Sequence, residues 1–250
     1  MSEGDVMFSA TINDTKSWRN SIEAIAALID EGTFQIDSEG LKLRAMDPSQ
    51  IALVDFELPS KAFEKFECTQ PVAIGIDFSE LSKITRRSKP EDRIDLSVDN
   101  NRLKMVFRGE TKREFNTAII DLSSNPPKEP KIEFTAEIKI SPNMIKDALK
   151  DAELLSNHVA LTVQDLFSIK SDGDTGSVNI EFPDDKLLSL SVSTAARAVF
   201  SLDYLNNILK AAEIPSVVNL NLRTDAPLKT EYSIGDGRVV YYLAPRIETV

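Results

Sequence analysis

The sequence has one cysteine, Cys68, and one histidine, His158, among 250 residues. A lone thiol cannot form an internal disulfide, and the pair supplies too few ligands for a Cys/His zinc site. Both read as ordinary residues, a buried thiol and a surface or strand imidazole. No apolar run approaches the ~20 residues of a membrane-spanning helix, and the opening MSEGDVMF lacks the basic-then-apolar layout of a secretory signal. The expectation is a protein that stays where it is made, with no membrane partner. The nine glycines form neither G-x-x-x-x-G-K nor G-x-G-x-x-G, so no phosphate-cradling loop or dinucleotide site is signalled. Positive charge is in deficit too: 29 Lys and Arg face 40 Asp and Glu, for a net charge of −11. Phosphate binding rests on Lys and Arg, so this balance argues against nucleic acid unless the cations are gathered on one face.

Catalytic patterns are equally scarce. His158 has no G-x-S-x-G context that would pair it with a nucleophile. Asp172-Gly173-Asp174 resembles the start of a calcium loop but lacks the later ligands and closing Glu, and reads as a hairpin turn. Asp184-Asp185, after Pro183, reads as a solvated loop. The expectation is a non-enzyme with no catalytic residues, no cofactor and no metal.

What is present is enough apolar material, 42% of residues, for one large core or two of ~120 residues. Periodicity divides the chain in two. The first half reads as a strand near 6–12, then a helix near 14–30 with Trp18, Ile22, Ile25 and Ile29 on one face. Strands FQID, GLKLRAMD, IALVDFEL and PVAIGID follow, then a helix near 79–88 and strands RIDLSV, RLKMVF and REFNTAII. Pro126, Pro127 and Pro130 then mark an extended linker. After it the order repeats, with helices at 142–155 and 202–212. The reading is α+β: an N-terminal domain at 1–122, a connector at 123–131 and a C-terminal domain at 132–250, each with two helices on antiparallel sheet.

All four helices pair an apolar stripe with a side carrying basic residues. Lys16 and Arg19 lie off the stripe of the first, and Lys83, Arg86 and Arg87 off that of the second. The third offers Lys146 and Lys150 and the fourth Lys210, diluted by Asp147, Asp151, Asp203 and Glu213. An ordinary solvated helix face would look much the same.

Two stretches, GLKLRAMDPSQIALVDFEL at Gly40–Leu58 and YYLAPRIE at Tyr241–Glu248, closely resemble proliferating cell nuclear antigen, the DNA sliding clamp family of archaea and eukaryotes. EFPDDKLLSL, FSLDYLNNILKA and DAPLKTEY extend the likeness in family order from about residue 7 to 247. The resemblance implies two similar clamp-fold domains per chain, assembled head to tail into a pseudo-sixfold ring, most simply a homotrimer. The helices would line the hole; twelve of ~10 Å diameter give ~38 Å between opposite helix centres. Duplex DNA would then be held without base readout, with Lys16, Arg19, Lys83, Arg86, Arg87, Lys150 and Lys210 facing it.

The resemblance also implies a role as processivity factor and docking platform. DNA polymerase, clamp loader, flap endonuclease and DNA ligase would bind through short helical motifs in an apolar pocket formed by Met46, Ile51, Leu53, Pro227, Tyr242, Leu243, Ala244, Pro245 and Ile247, with Gln50 at its rim. Subunits would meet through edge strands. The candidates are Leu103, Met105, Phe107 and Arg108, flanked by Lys112 and Arg113, against Val178, Ile180 and Glu181, flanked by Asp184 and Asp185. Opposite charges predict a salt-sensitive ring. Localisation would be cytoplasmic with the nucleoid in an archaeon and nuclear in a eukaryote. The rival readings are a checkpoint-type clamp subunit and a metal-dependent nucleic-acid hydrolase, the latter requiring converging carboxylates.

Overall fold

Hydrophobic alternation sets the strands and a 3.6-residue stripe sets the helices, and the same sequence of elements is built twice. The computed structural model describes residues 7–99, 101–122 and 126–247. They group into two compact units, one of residues 7–48, 54–99, 101–122, 126–127 and 234–239 and the other of 49–53, 128–233 and 240–247. Each unit is therefore completed by a short segment from outside its own half of the sequence.

In the first unit, β1 (Phe8–Ile12) leads to α1 (Thr15–Ala26), then β2 (Glu31–Asp37), β3 (Gly40–Met46) and β4 (Ala52–Pro59). A 3-10 turn at Ser60–Ala62 precedes β5 (Lys65–Cys68), β6 (Val72–Asp77), α2 (Phe78–Thr85), β7 (Arg93–Asp99), β8 (Arg102–Arg108) and β9 (Lys112–Ala118). One antiparallel sheet runs β5-β1-β7-β8-β9, and β4, β3, β2 and β6 lie side by side in another. The turn joining β7 to β8 places Asn101 at φ 58°, the left-handed conformation its short amide side chain tolerates.

The second unit repeats the order. It contains β10 (Ala136–Ile140), α3 (Pro142–Glu153), β11 (His158–Val163), β12 (Phe167–Gly173), β13 (Gly176–Phe182), a 3-10 turn at Asp184–Lys186 and β14 (Ser189–Val192). Then come β15 (Ala196–Ser201), α4 (Leu202–Leu209), β16 (Val218–Leu222), β17 (Leu228–Ile234) and β18 (Gly237–Leu243). Its sheets run β13-β12-β11-β15 and β14-β10-β16-β17-β18. The α+β reading, with antiparallel sheets and two helices per repeat, is what forms. Asp172-Gly173-Asp174 is indeed hairpin: Gly173 pairs with Gly176, and a β-carbon on Gly173 would lie 1.8 Å from the Leu155 carbonyl oxygen.

The first three helices start where capping side chains satisfy the first free N–H groups. Asp14 accepts from Ser17 N at 3.0 Å, Asp77 from Glu80 N at 2.8 Å and Ser141 from Met144 N at 3.3 Å, with Pro142 in the first turn. Trp18, Ile22 and Ile25 bury the stripe of α1, a gain of ~1.5–3 kcal/mol for each aliphatic side chain removed from water. In the other three helices, Leu81 of α2, Ile145 and Leu149 of α3, and Leu205, Ile208 and Leu209 of α4 do the same.

Candidate functional site

The basic helix residues lie on or beside two helix pairs, α1 with α2 and α3 with α4. Lys16, Lys83, Arg86, Arg87, Lys150 and Lys210 are exposed and Arg19 is half-buried. Burial of the apolar stripe fixes which side of each helix faces outward, so in each unit these cations lie away from the core. Some are already engaged. Arg86 Nε meets Glu23 Oε1 at 2.8 Å, joining α2 to α1, and Lys150 pairs with Asp147 at 3.1 Å within α3. Lys146 departs from the sequence reading. Its ammonium donates to the Lys210 and Ala212 carbonyls at 3.2 and 2.6 Å, satisfying the C-terminal end of α4 rather than facing a ligand. Burial lowers its pKa, partly offset by Glu213. The first unit thus carries five of the seven outward cations singled out in the sequence.

The edge strands need one correction. Leu103, Met105, Phe107 and Arg108 belong to β8, which is hydrogen-bonded on both sides, to β7 and to β9. Leu103, Met105 and Phe107 are core residues and are not available to a partner. The terminal strands of that sheet are β5 and β9; Lys112 and Arg113 sit on β9, with Arg113, Phe115 and Thr117 half-buried and alternate residues exposed. In the second unit β13 is the terminal strand of its sheet, as the sequence suggested, with Val178 and Ile180 half-buried and Glu181 exposed. Asp184 and Asp185 are exposed in the following 3-10 turn.

The expected client pocket is only partly an open surface. Leu243 is 1% exposed and Leu53 3%, so both act as floor. Leu53, Val240 and Tyr242 form one cluster, against which Ile132 and Phe134 pack. The Tyr242 hydroxyl donates to Glu129 Oε1 at 2.7 Å, tying the Pro-rich strap down at this point. Ala244 N donates to the Ile51 carbonyl at 2.8 Å, bringing the segment after β18 beside Ile51. Of the expected pocket residues in the second unit, the apolar side chains left accessible are Ile51 at 39% and Ile247 at 87% exposure, with Pro227, Ala244 and Pro245 half-buried and Gln50 exposed at φ 59°; Met46, 38% exposed, belongs to the first unit. Ile132, Phe134 and Val240 were missed in the sequence, although the alternation of KIEFTAEIKI, begun immediately after Pro130, carries the signal for the first two. Ser123, Ser124 and Asn125 of the strap lie outside the described residues.

Among the described residues no group of three or more His, Cys, Asp or Glu side chains is placed to hold a metal ion. What the surfaces can do is bind: cations over two helix pairs, two sheet edges and one apolar patch.

Models of the proliferating cell nuclear antigen N-terminal and C-terminal domains match residues 7–124 and 128–247. The chain belongs to the proliferating cell nuclear antigen family of DNA sliding clamps. It is 37% identical to a DNA polymerase sliding clamp of Methanococcus maripaludis, over 97% of this chain and 100% of that protein. A DNA polymerase sliding clamp of Methanocella arvoryzae is 38% identical over 97% and 100%. Among solved structures, A. fulgidus PCNA bound to the C-terminal region of FEN-1 superposes with TM-score 0.90 at 28% identity, covering 98% and 100% of the two chains. The Thermococcus kodakaraensis antigen gives 0.91 at 26%, covering 96% and 100%. This clamp family membership makes the sequence-level reading, a DNA sliding clamp serving polymerase, the function of the chain.

Proposed function

We propose that three copies of this chain close head to tail through β9 of one and β13 of the next, and that the ring encircles duplex DNA and tethers client enzymes without catalysing a reaction itself. The observation that carries the reading is the pair of terminal strands. Both are seven residues long, and each presents alternating half-buried side chains, Phe115 and Thr117 on one and Val178 and Ile180 on the other. Lys112 and Arg113 open the first strand and Glu181 lies near the end of the second, which Asp184 and Asp185 follow in the 3-10 turn. Antiparallel or parallel pairing of such edges would satisfy backbone groups that otherwise invite aggregation, while the flanking charges fix which edge meets which.

Within the ring, Lys16, Arg19, Lys83, Arg86 and Arg87 of the first unit supply most of the attraction for phosphate, with Lys150 and Lys210 adding a smaller share. Long side chains contacting phosphate oxygens position DNA without reading sequence. The acidic remainder of the chain keeps other surfaces off DNA. Polymerase, clamp loader, flap endonuclease and ligase would dock over Met46, Ile51, Tyr242 and Ile247, using aliphatic and aromatic anchors on a short helical turn. Light scattering at micromolar concentration tests the assembly. The expected particle has three times the 27.7 kDa of one chain and dissociates as salt rises; a monomer at low salt would overturn the reading.

A further inference from the structure

A hollow of about 440 Å³ opens in the second unit beside the residues that follow β18. Its charged lining is Lys170 and Asp172 on β12, Arg197 on β15 and Arg246. That is three cations to one carboxylate, in a chain where Asp and Glu outnumber Lys and Arg 40 to 29. Asp172 is engaged by Lys170 at 2.9 Å. Arg246 is held in place: its backbone N donates to the Val199 carbonyl at 2.7 Å, and its Nη1 lies 2.9 Å from Nδ1 and 3.0 Å from Nε2 of His158. Accepting from a guanidinium requires a neutral imidazole. Burial, and after it the Arg246 charge, lower the His158 pKa in keeping with that.

The hollow is continuous with the client surface. Residues 244–247 are tied at one end to Ile51 through Ala244 N, and at the other Arg246 and Ile247 line the hollow. At ~3.3–3.6 Å per extended residue, two to four residues of a docked chain cross from one to the other. A peptide is therefore a better fit than nucleic acid, whose attraction is assigned to the helix faces.

We propose that this hollow receives an acidic flank of the client peptide, two or more Asp or Glu side chains within about four positions of the apolar anchors. The inference rests on the client-docking reading above. It makes flank charge a specificity determinant: clients with the same anchors are ranked by the acidity of one neighbouring segment.

The test is fluorescence anisotropy with a peptide bearing one aliphatic and two aromatic anchors, extended at either end by four Asp or by four Ser. Two or three partly exposed ion pairs predict about five-fold tighter binding for Asp at one end in low salt, with the gain gone at high salt. The Lys170→Glu, Arg197→Glu double variant should erase the gain while leaving the Ser-flanked peptide unaffected. No gain at either end, or a gain that survives in the variant or in high salt, would overturn the proposal. If the Ser-flanked peptide does not bind at all, the client reading fails and the hollow is judged alone, with free hexa-aspartate. Because His158 is the single histidine, its imidazole NMR signals report this site, and they should shift in the wild type only. Absence of a shift, or equal displacement by a short oligonucleotide, counts against an acidic-peptide site.

Discussion

Replacing Asp92 with asparagine takes the anion out of an ion pair on which three segments converge. Asp92 is 3% exposed. Its Oδ2 accepts from the Lys89 backbone N at 2.7 Å and from the Arg113 guanidinium. Arg113 also donates to the Arg87 carbonyl at 2.8 Å and sits over the Phe107 ring, 5.2 Å from its centroid. One guanidinium therefore links the end of α2, the turn before β7 and the edge strand β9. Breaking a fully buried pair costs ~3–5 kcal/mol. Arg113 is 26% exposed and keeps its carbonyl bond, so the expected cost is about 2 kcal/mol. For a chain of this size that lowers the thermal midpoint by ~4–8 °C, measured by circular dichroism.

The pH dependence of that loss follows from the carboxyl's surroundings. Burial pushes its pKa up, but the Lys89 N–H and Arg113 more than offset this, leaving it below the ordinary value. A depressed folded pKa means stability present above the unfolded value of ~3.9 and lost as pH falls through the lower folded value. The wild-type advantage over the asparagine variant should be flat from about pH 5 to 8 and shrink below about pH 4. A double-mutant cycle with Arg113→Met isolates the pair, and a coupling energy under about 0.5 kcal/mol would refute this account.

Introducing a charge at Ile180, Ile180→Lys, should yield a monomer by light scattering with little change in the thermal midpoint of the chain, because Ile180 is half-buried on a terminal strand; an intact trimer would contradict the assignment of β13. Lys83→Glu with Arg87→Glu should weaken DNA retention and reduce the slope of log affinity against log salt by about 1 to 2, read by filter binding; an unchanged slope would remove these cations from the DNA face. Tyr232→Phe should cost ~1–3 kcal/mol in denaturant unfolding. The lost hydroxyl bonds the Ile208 carbonyl at 2.6 Å and lies 3.2 Å from that of Tyr241, all buried. A neutral result would mean the pair is redundant.

Much of the fold was legible because one face of each element is buried. Trp18, Ile22 and Ile25 announced α1, and the repeated element order announced two domains. Helix ends were read too long, at 30, 88, 155 and 212 against observed ends at 26, 85, 153 and 209. In α1 the reason is visible: Leu28 and Ile29 N–H groups both turn to the Ile25 carbonyl, breaking the regular ladder, while Ile29 stays buried and sustains the apolar spacing. β5 escaped notice because KFEC is short and only half-buried. The edge strand was misplaced onto β8 because strand order is a long-range property, invisible to local alternation. The more polar neighbour, KREFNTA, with every second residue exposed, is what an edge looks like. Lys146 was counted among the basic residues off the apolar stripe, and its partners, the Lys210 and Ala212 carbonyls, are 64 and 66 residues away and so invisible to local pattern. The apolar residues around Leu53 and Tyr242 were singled out through their family-like stretches, whereas the packing of Ile132 and Phe134 against them depends on how the strap folds back.

Retention on closed against open DNA tests the encircling claim most directly. The clamp would be loaded on a nicked circular duplex, isolated on beads, and challenged with a restriction enzyme that linearises the circle. The account predicts long-lived retention on the circle and prompt release from the linear ends, together with stimulation of a cognate polymerase on primed circles. Equal retention on circular and linear DNA would contradict it.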